Sequence, residues 1–275
     1  MARHPTDFRM TLWGSLLAGT VFLGFTACGG RSEPVEPAVC EPPSSPEVRA
    51  FAQCGPTLDF TPINSYVGEF ADVIQDREDA VVLIDGRCTG TLIQASAGAV
   101  VLTAGHCVRL GDIPLIVFNF EDDADGDPLI TEGTVIEQSI APDYALIQLD
   151  VLPDIPPIPL TTQATERLAI IQHPRGRPKV IAEGDYLDSC NGLVFYGDLD
   201  TLVSSSGAGV LNRRGHLVGV HTDGDCEVSG RGSNRGWTVE SIVEASAYLQ
   251  PEDLDAPATA TRTPGADAPH ARLAP

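Results

Sequence analysis

Short apolar runs recur along the middle of this 275-residue chain, and they constrain its fold more than any other feature. Each run is rich in Val, Ile and Leu, and Gly, Pro, Asp or Asn separates it from the next. Runs of this length and spacing are typical of the strands of β-sandwiches and β-barrels. Only residues 239–249 favour a helix, because their apolar residues largely fall on one helical face. The sequence therefore predicts one all-β domain of about 200 residues with a C-terminal helix. The runs are AVVLIDG, TGTLIQA, AVVLTAG, LIVFNF, YALIQLD, LAIIQHP, LVFYG and LVGVHTD.

Three motifs supply a histidine, an aspartate and a serine in that order. LTAGHC contains His106, PDYALIQLD contains Asp143 just before a buried-strand pattern, and SSSGAGVLNRRGHLVGVHTDG contains Ser206. A serine hydroxyl needs a neighbouring base to become a nucleophile, and histidine titrates close to neutral pH. A buried carboxylate fixes the imidazole tautomer and stabilises the imidazolium. The order argues against an α/β-hydrolase and against the subtilisin arrangement. We therefore assign His106 as base, Asp143 as the orienting carboxylate and Ser206 as nucleophile.

The motifs resemble those of the chymotrypsin-like serine peptidases, and most closely the bacterial branch that includes the glutamyl endopeptidases. IIQHPRGRPKVI at 170–181 is similar to a segment of bacterial trypsin-like domains. DT at 200–201, VHT at 220–222 and NRG at 234–236 resemble matching points in glutamyl endopeptidases. The resemblance spans roughly residues 65–249. It implies an all-β fold of two antiparallel six-stranded barrels and the activity of a serine endopeptidase that works through an acyl-enzyme.

The serine loop departs from the pattern of that family, Gly-x-Ser-Gly-Gly/Ser-Pro. The resemblance implies an oxyanion hole built from the backbone N–H groups of Ser206 and Ser204. Glycine usually occupies the position of Ser204, because the backbone there adopts an unusual conformation. Loss of that donor would cost on the order of 100- to 1000-fold in rate. A catalytically impaired binding or scaffold lipoprotein on a peptidase fold is therefore the alternative function. A purely structural envelope lipoprotein would leave the three motifs unexplained.

Three further positions belong to the substrate pocket that the resemblance implies. His221 and Thr201 match a pocket histidine and threonine of glutamyl endopeptidases, and both side chains can donate to a carboxylate. Asp200 lies where trypsin-type enzymes hold the aspartate that binds Arg or Lys. The sequence predicts a preference for Glu or Asp at P1, the residue before the cleaved bond. A preference for Arg or Lys stays open if Asp200 faces the pocket.

The cysteines indicate an oxidising compartment. Seven are present, and six remain if Cys28 is lipidated, an even number that suits disulfides. Six cysteines allow fifteen pairings, so the count alone does not choose among them. The resemblance favours a Cys88–Cys107 bridge beside the histidine. A zinc site is the alternative, but no C-x2-C or clustered Cys/His spacing supports it. The other expected bridges are Cys190–Cys226, across the nucleophile region, and Cys40–Cys54, by elimination.

The first 28 residues indicate a targeting segment. Arg3 and Arg9 precede an apolar stretch that ends at Cys28, and Thr-Ala-Cys-Gly around that cysteine resembles a bacterial lipobox. Phe25 occupies the lipobox position at which leucine is usual. About 18 apolar residues also just span a bilayer, so an uncleaved anchor is the alternative. Either interpretation predicts export. The lipobox interpretation predicts a bacterial envelope protein, in the periplasm or on the cell surface, attached to the membrane through a lipid on Cys28.

The composition outside the apolar runs predicts the rest of the organisation. Residues 29–53 are rich in Pro, Glu and Ser and predict a tether, residues 54–249 form the peptidase domain, and residues 250–275 predict a disordered Pro/Ala-rich tail. The net charge of −21 argues against nucleic-acid binding, because a polyanion would repel such a surface. The expected partners are protein or peptide substrates, and the expected state is a monomer.

One acidic run suggests a metal ion. In EDDADGDP, alternating aspartates resemble calcium ligands and Gly126 supplies a turn, but the rest of an EF-hand loop does not follow. A solvated acidic loop is the favoured interpretation, and no cofactor is otherwise expected. The candidate calcium ligands are Asp123, Asp125 and Asp127.

Overall fold

The computed structural model places the ordered domain between the predicted tether and the predicted tail. The described ranges are 53–96, 98–123, 127–229 and 232–255. The predicted signal peptide lies outside them, and no helix within them is long and apolar enough to cross a membrane. The chain stays packed on the domain up to Asp255, whose carboxylate accepts a hydrogen bond from Thr161. The domain therefore extends beyond the predicted boundary at residue 249.

A short entry segment leads into two barrels. Strand β1 (Thr61–Pro62) pairs with the second barrel, and helix α1 (Ala71–Ile74) follows it.

The first barrel is a closed antiparallel sheet of six strands, in which β5 pairs with β2 to close the ring. Its first three strands are buried along their whole length, and their apolar side chains fill the interior of the barrel. Leu92, Leu102 and Phe118 retain no exposed surface. In spatial order the strands are β2 (Val81–Ile84), β3 (Cys88–Ile93), β4 (Val100–Thr103), β7 (Asp143–Leu149), β6 (Leu129–Ile140) and β5 (Leu115–Phe118).

The second barrel closes in the same way, because β8 pairs with both β9 and β11. The expected fold of two six-stranded antiparallel barrels is therefore confirmed. In spatial order the strands are β8 (Arg167–Gln172), β9 (Val180–Cys190), β10 (Leu193–Gly197), β13 (Asn234–Thr238), β12 (Leu217–Gly224) and β11 (Gly209–Leu211).

The C-terminal helix α2 (Val239–Ala245) is shorter than the sequence predicted. Thr238 caps its first turn by accepting a hydrogen bond from the Ser241 N–H at 3.2 Å. The helix ends at Ser246, which leaves the helical conformation and turns its hydroxyl to the Glu137 carboxylate. Serine side chains can form hydrogen bonds that replace those of a helical backbone. The helix therefore ends at Ser246, although the apolar pattern continues to residue 249.

Candidate active site

Strand register in the first barrel brings the predicted base and its carboxylate together. His106 lies in a single 3-10 turn just after β4, and Asp143 is the first residue of β7, which pairs with β4. The His106 Nδ1 atom is 2.7 Å from Asp143 Oδ2. The His106 backbone N–H donates to Asp143 Oδ1 at 2.9 Å. Because the carboxylate binds both the backbone N–H and Nδ1 of His106, it fixes the orientation of the ring and leaves Nε2 as the proton acceptor.

Glycine at position 105 allows the histidine turn to sit on the β6–β7 hairpin. A Cβ atom on Gly105 would lie 1.8 Å from the Ser139 carbonyl oxygen and 2.7 Å from that of Tyr144. Gln138 Nε2 donates to the Gly105 carbonyl at 3.0 Å. The glycine in LTAGHC is therefore required by a close backbone approach, which holds the histidine beside its carboxylate.

Electrostatics favour a basic imidazole at this position. Burial is the largest single influence and lowers the pKa of His106, because desolvation disfavours the imidazolium. The hydrogen bond and charge of Asp143, with the charge of Asp223, outweigh burial and raise the pKa above 6.5. The His106 side chain is 31% exposed, so the ring remains accessible to a reacting group. His106 is thus suited to accept and return a proton near neutral pH.

Thr89 in β3 ties the serine loop to the histidine loop. Its N–H donates to the Ser206 carbonyl at 2.9 Å, and its hydroxyl donates to the Ser204 carbonyl at 2.8 Å. The Cys107 Sγ atom lies 3.8 Å from the Ser206 carbonyl oxygen. Ser206 therefore lies beside the residue that follows His106, and it is partly exposed.

Gly207 lets the serine loop approach this closely. Its φ is 87°, and a Cβ atom would lie 2.1 Å from Thr103 Oγ1 and 2.2 Å from the Thr89 carbonyl oxygen. Within the described residues, no hydrogen bond joins the Ser206 hydroxyl to the His106 ring. The assignment of Ser206 rests on the position of its loop, and such bonds often tighten only when substrate is bound.

Ser204 adopts the conformation that glycine usually supplies. Its φ is 76°, at the third position of a turn that the Ser205 N–H closes on the Leu202 carbonyl at 3.0 Å. A type II turn requires a positive φ there. In the described part of the chain, the Ser204 and Ser206 N–H groups have no acceptor, which leaves two donors for an oxyanion. Their neighbours donate within the fold, namely Leu202, Ser205, Gly207, Ala208 and Gly209.

One predicted disulfide is confirmed. Cys88 is bonded to Cys107 with a Cα separation of 6.2 Å. The bridge ties the start of β3 to the residue after His106.

The other two predicted pairings are wrong. Cys226 is bonded to Cys54, with a Cα separation of 4.8 Å, and not to Cys190. Cys190 is also disulfide-bonded, and Cys40 lies outside the described residues. The physical reason lies in Asp200, which holds the backbone of Cys54 next to the loop that carries Cys226.

Asp200 faces the N-terminal segment of the domain. Its Oδ1 accepts from the Cys54 N–H at 2.7 Å, and its Oδ2 accepts from the Asp59 N–H at 2.6 Å. Asp200 is only 1% exposed. Burial raises the pKa of Asp200, while the two backbone N–H groups act in the opposite direction. Both carboxylate oxygens are therefore engaged by the protein's own backbone.

His221 and Thr201, the other predicted pocket residues, are also buried. The His221 Nδ1 atom is 2.6 Å from the Tyr196 hydroxyl. Burial, together with the nearby charge of His106, lowers the pKa of His221 to about 3, so the ring is neutral near pH 7. The Tyr196 hydroxyl has no other partner in the described contacts, so we assign it as the donor to Nδ1. The ring proton then lies on Nε2, and the ring also forms a hydrogen bond with the Arg235 backbone, which favours the protonated ring.

Comparison with known proteins agrees with this architecture. Residues 88–220 match the trypsin-like peptidase domain family. The fold is that of the chymotrypsin-like serine peptidases. The crystal structure of a serine endoprotease from Yersinia pestis is similar, with 14% identity, a TM-score of 0.53 and 66% of each chain covered. The crystal structure of Deg5 is similar at 17% identity and a TM-score of 0.50, over 64% of this chain and 91% of that one. The sequence matches no curated protein.

These similarities do not single out the glutamyl endopeptidase branch. The match to the trypsin-like family covers the segment that carries His106, Asp143 and Ser206. The present chain spans about two thirds of the Yersinia pestis protein. At such low identities, the two structures support the chymotrypsin-like fold alone.

Sequence reasoning missed two residues near the contact between His106 and Asp143. Thr89 lies in an ordinary apolar run, and nothing in the sequence distinguishes it. Asp223 follows His221 by two residues, its carboxylate lies 3.7 Å from Arg235 Nε, and its charge raises the pKa of His106. A carboxylate inside the VHTDG motif was the available signal for Asp223.

The predicted calcium loop is only partly described. Asn64 Nδ2 donates to the Glu121 carboxylate at 2.9 Å and to the Asp122 carbonyl at 3.1 Å. Asp125 lies outside the described residues, between Asp123 and Asp127. Among the described residues, no group of three or more His, Cys, Asp or Glu side chains could hold a metal ion. The calcium site therefore stays a prediction.

Proposed function

We propose that this protein is a serine endopeptidase that cleaves peptide bonds through an acyl-enzyme. The observation that carries the proposal is the 2.7 Å contact between His106 and Asp143, beside a partly exposed serine and two unpaired backbone N–H groups. Each part has a role in acyl transfer, and the fold and family match favour the same activity class.

In this mechanism the Ser206 hydroxyl attacks the substrate carbonyl while His106 Nε2 takes its proton. Asp143 stabilises the imidazolium, and the N–H groups of Ser204 and Ser206 stabilise the negative oxygen of the tetrahedral intermediate. His106 then gives its proton to the departing amine as the peptide C–N bond breaks. A water molecule then attacks the acyl-enzyme carbonyl while His106 takes its proton. His106 returns this proton to the Ser206 oxygen as the acyl–oxygen bond breaks, which releases the acid and restores the Ser206 hydroxyl.

We further propose that the enzyme prefers Glu or Asp at P1. We place the P1 pocket between the stretches that hold Thr201 and His221, as the family resemblance implies. Tyr196 fixes the His221 tautomer with a proton on Nε2, and a P1 carboxylate would compete with the Arg235 backbone for that proton. Asp200 offers no free carboxylate to a cationic side chain, because both of its oxygens accept backbone N–H groups.

Export is part of the proposal. Disulfides form and persist in oxidising compartments, and five cysteines of the described chain are disulfide-bonded. A lipid anchor on Cys28 would retain the enzyme at the envelope membrane. Labelled palmitate should enter the wild-type protein and not the Cys28→Ser variant. Incorporation that survives the substitution would exclude Cys28 as the site.

Peptide hydrolysis by the wild type and two serine variants tests the activity. Ser206→Ala should abolish cleavage above the uncatalysed background, because it removes the attacking oxygen. Ser205→Ala is the matched control, since Ser205 is buried and its oxygen accepts the Leu202 N–H at 3.0 Å. It should lose stability and keep cleavage. Equal cleavage by the wild type and Ser206→Ala would contradict the assignment, and no cleavage by folded wild type would favour the impaired scaffold.

A further inference from the structure

The first described segment of the chain is fixed to the second barrel although it contains no helix or strand. We term residues 53–59 the strap. Its Cys54 and Asp59 N–H groups donate to the two oxygens of Asp200, at 2.7 and 2.6 Å. Hydrogen bonds to an ionised acceptor are stronger than neutral ones. The two donors lie five positions apart in the strap, so the bonds hold both its start and its end.

A second loop holds the strap from the other side. Cys54 forms the disulfide with Cys226, and the Gly55 N–H donates to the Glu227 carbonyl at 3.2 Å. The bridge joins residues 172 positions apart. Cys54 is 5% exposed and Cys226 is 9% exposed, so the covalent link itself is buried.

Asn234 in β13 adds a third connection. Its Nδ2 atom donates to the Leu199 carbonyl at 2.5 Å and lies 3.5 Å from Cys54 Sγ. Cys54 Sγ is in turn 3.1 Å from the Leu199 carbonyl oxygen. Strand β13, the strap and the residue before Asp200 therefore meet at one buried point.

These anchors lie on the two stretches that would enclose a P1 side chain if the proposed function is correct. Asp200 is six residues before Ser206, in the loop that leads to the nucleophile. Cys226 follows β12, which carries His221. The strap binds both Asp200 and the Cys226–Glu227 loop.

We propose that the strap is a positioning element of the substrate pocket, which holds the Asp200 loop and the Cys226 loop at the separation that substrate binding needs. The inference rests on the proposed function. Without the strap, Asp200 would be a buried carboxylate without donors, and such a group is costly enough to move its loop. The nucleophile itself is held elsewhere, by Thr89.

Two variants remove the two kinds of anchor. The Cys54→Ser, Cys226→Ser double variant breaks the covalent link, and Asp200→Asn replaces one acceptor with a donor. Each should raise KM for peptide substrates by about tenfold or more and change kcat by less than about threefold. The rate at which a small fluorophosphonate labels Ser206 should change by less than about threefold, because that reagent does not fill the pocket. Folding is checked by circular dichroism and urea titration.

Arg213→Ala is the matched control. Arg213 also ties an N-terminal segment to the second barrel, through hydrogen bonds to the carbonyl and carboxylate of Glu69, but neither residue contacts the strap. It should leave KM unchanged. If the strap variants fold and their KM stays within twofold of the wild-type value, as expected for the control, the strap only stabilises the fold. The proposal would then be wrong.

Hydrogen exchange of the wild-type protein provides a second test that needs no variant. A peptidyl phosphonate that reacts with Ser206 and fills the pocket should slow exchange of the Cys54 and Asp59 amides. Unchanged exchange at both amides would contradict the proposal. If the wild type is folded yet reacts with no phosphonate, the proposed function fails instead, so the two failures are distinguishable.

Discussion

Replacing Ser204 with glycine tests whether the unusual serine loop still builds an oxyanion hole. Ser204 has a φ of 76°, in the left-handed region that disfavours a side chain. That conformation costs a residue with a Cβ atom roughly 1–2 kcal/mol. Glycine avoids this cost, but its larger loss of conformational entropy on folding destabilises the folded state by about 0.5–1 kcal/mol. The Ser204 hydroxyl has no hydrogen-bond partner among the described residues, so no compensating bond is lost.

The difference between these two effects sets the expected stability change. Ser204→Gly should be more stable than wild type by about 0.5–1 kcal/mol. For a domain of this size, that corresponds to a rise in Tm of roughly 1–4 °C. Ser204→Ala is the control, because it keeps the Cβ atom and should show no such gain. Activity should change by less than about threefold in both variants, since the backbone N–H groups remain in place.

Urea titration and kcat/KM on one peptide measure both outcomes. Destabilisation by glycine would refute the assigned strain at Ser204. A gain in kcat/KM on the order of 100-fold or more would show that the native N–H is turned away from the oxyanion, and that the wild type is an impaired enzyme.

Three more outcomes follow from the contacts around the site. Asp143→Asn should lower kcat by on the order of 10⁴-fold, because an amide leaves His106 in the wrong tautomer. It should also shift the acidic limb of the pH–rate profile to lower pH, since Asp143 raises the pKa of His106, and an unshifted limb would contradict this. Tyr196→Phe should reduce cleavage after Glu about tenfold more than cleavage after Ala, because His221 loses the donor that fixes its tautomer; equal losses on a matched peptide pair would oppose that role. Stability should fall as pH drops from 6.5 to about 4, because burial lowers the pKa of His173 to about 4 while the unfolded chain takes up a proton near 6.5. The loss from His173 is about 3 kcal/mol, and urea midpoints should show a shallower slope for His173→Asn.

The apolar runs predicted most of the strands, because a strand that is buried on both faces is a continuous run of apolar residues. Each of the eight runs overlaps a strand of the structure. Five strands were missed, namely β1, β6, β9, β11 and β13. Strands β6 and β9 are long, partly exposed and carry many polar residues, and β1 and β11 are too short to give a pattern. The closure of each barrel depends on pairings such as β5 with β2, and periodicity carries no information about which strands meet.

Local motifs predicted the contact between His106 and Asp143, because the pairing of β4 with β7 brings the two residues together. Asp143 begins a strand whose neighbour ends just before His106, so the carboxylate meets the ring. The conformation of Ser204 was not predicted, since a serine in the left-handed region has no sequence signature.

Long-range partners could not be predicted from the sequence. The Cys54–Cys226 bridge joins the first and last parts of the domain, and fifteen pairings of six cysteines were equally allowed. Asp200 was expected at a pocket because of its spacing from Ser206. It binds the strap instead, since a buried carboxylate needs donors and the strap backbone supplies two.

Covalent labelling with a fluorophosphonate, mapped by mass spectrometry, reports whether Ser206 is an activated nucleophile. The reagent reacts only with a serine that a neighbouring base activates, so it reports the catalytic pair and the nucleophile together. We expect one adduct, on Ser206, that is absent in Ser206→Ala and forms much more slowly in His106→Ala. A folded wild-type protein that forms no adduct, or an adduct on another serine, would contradict it.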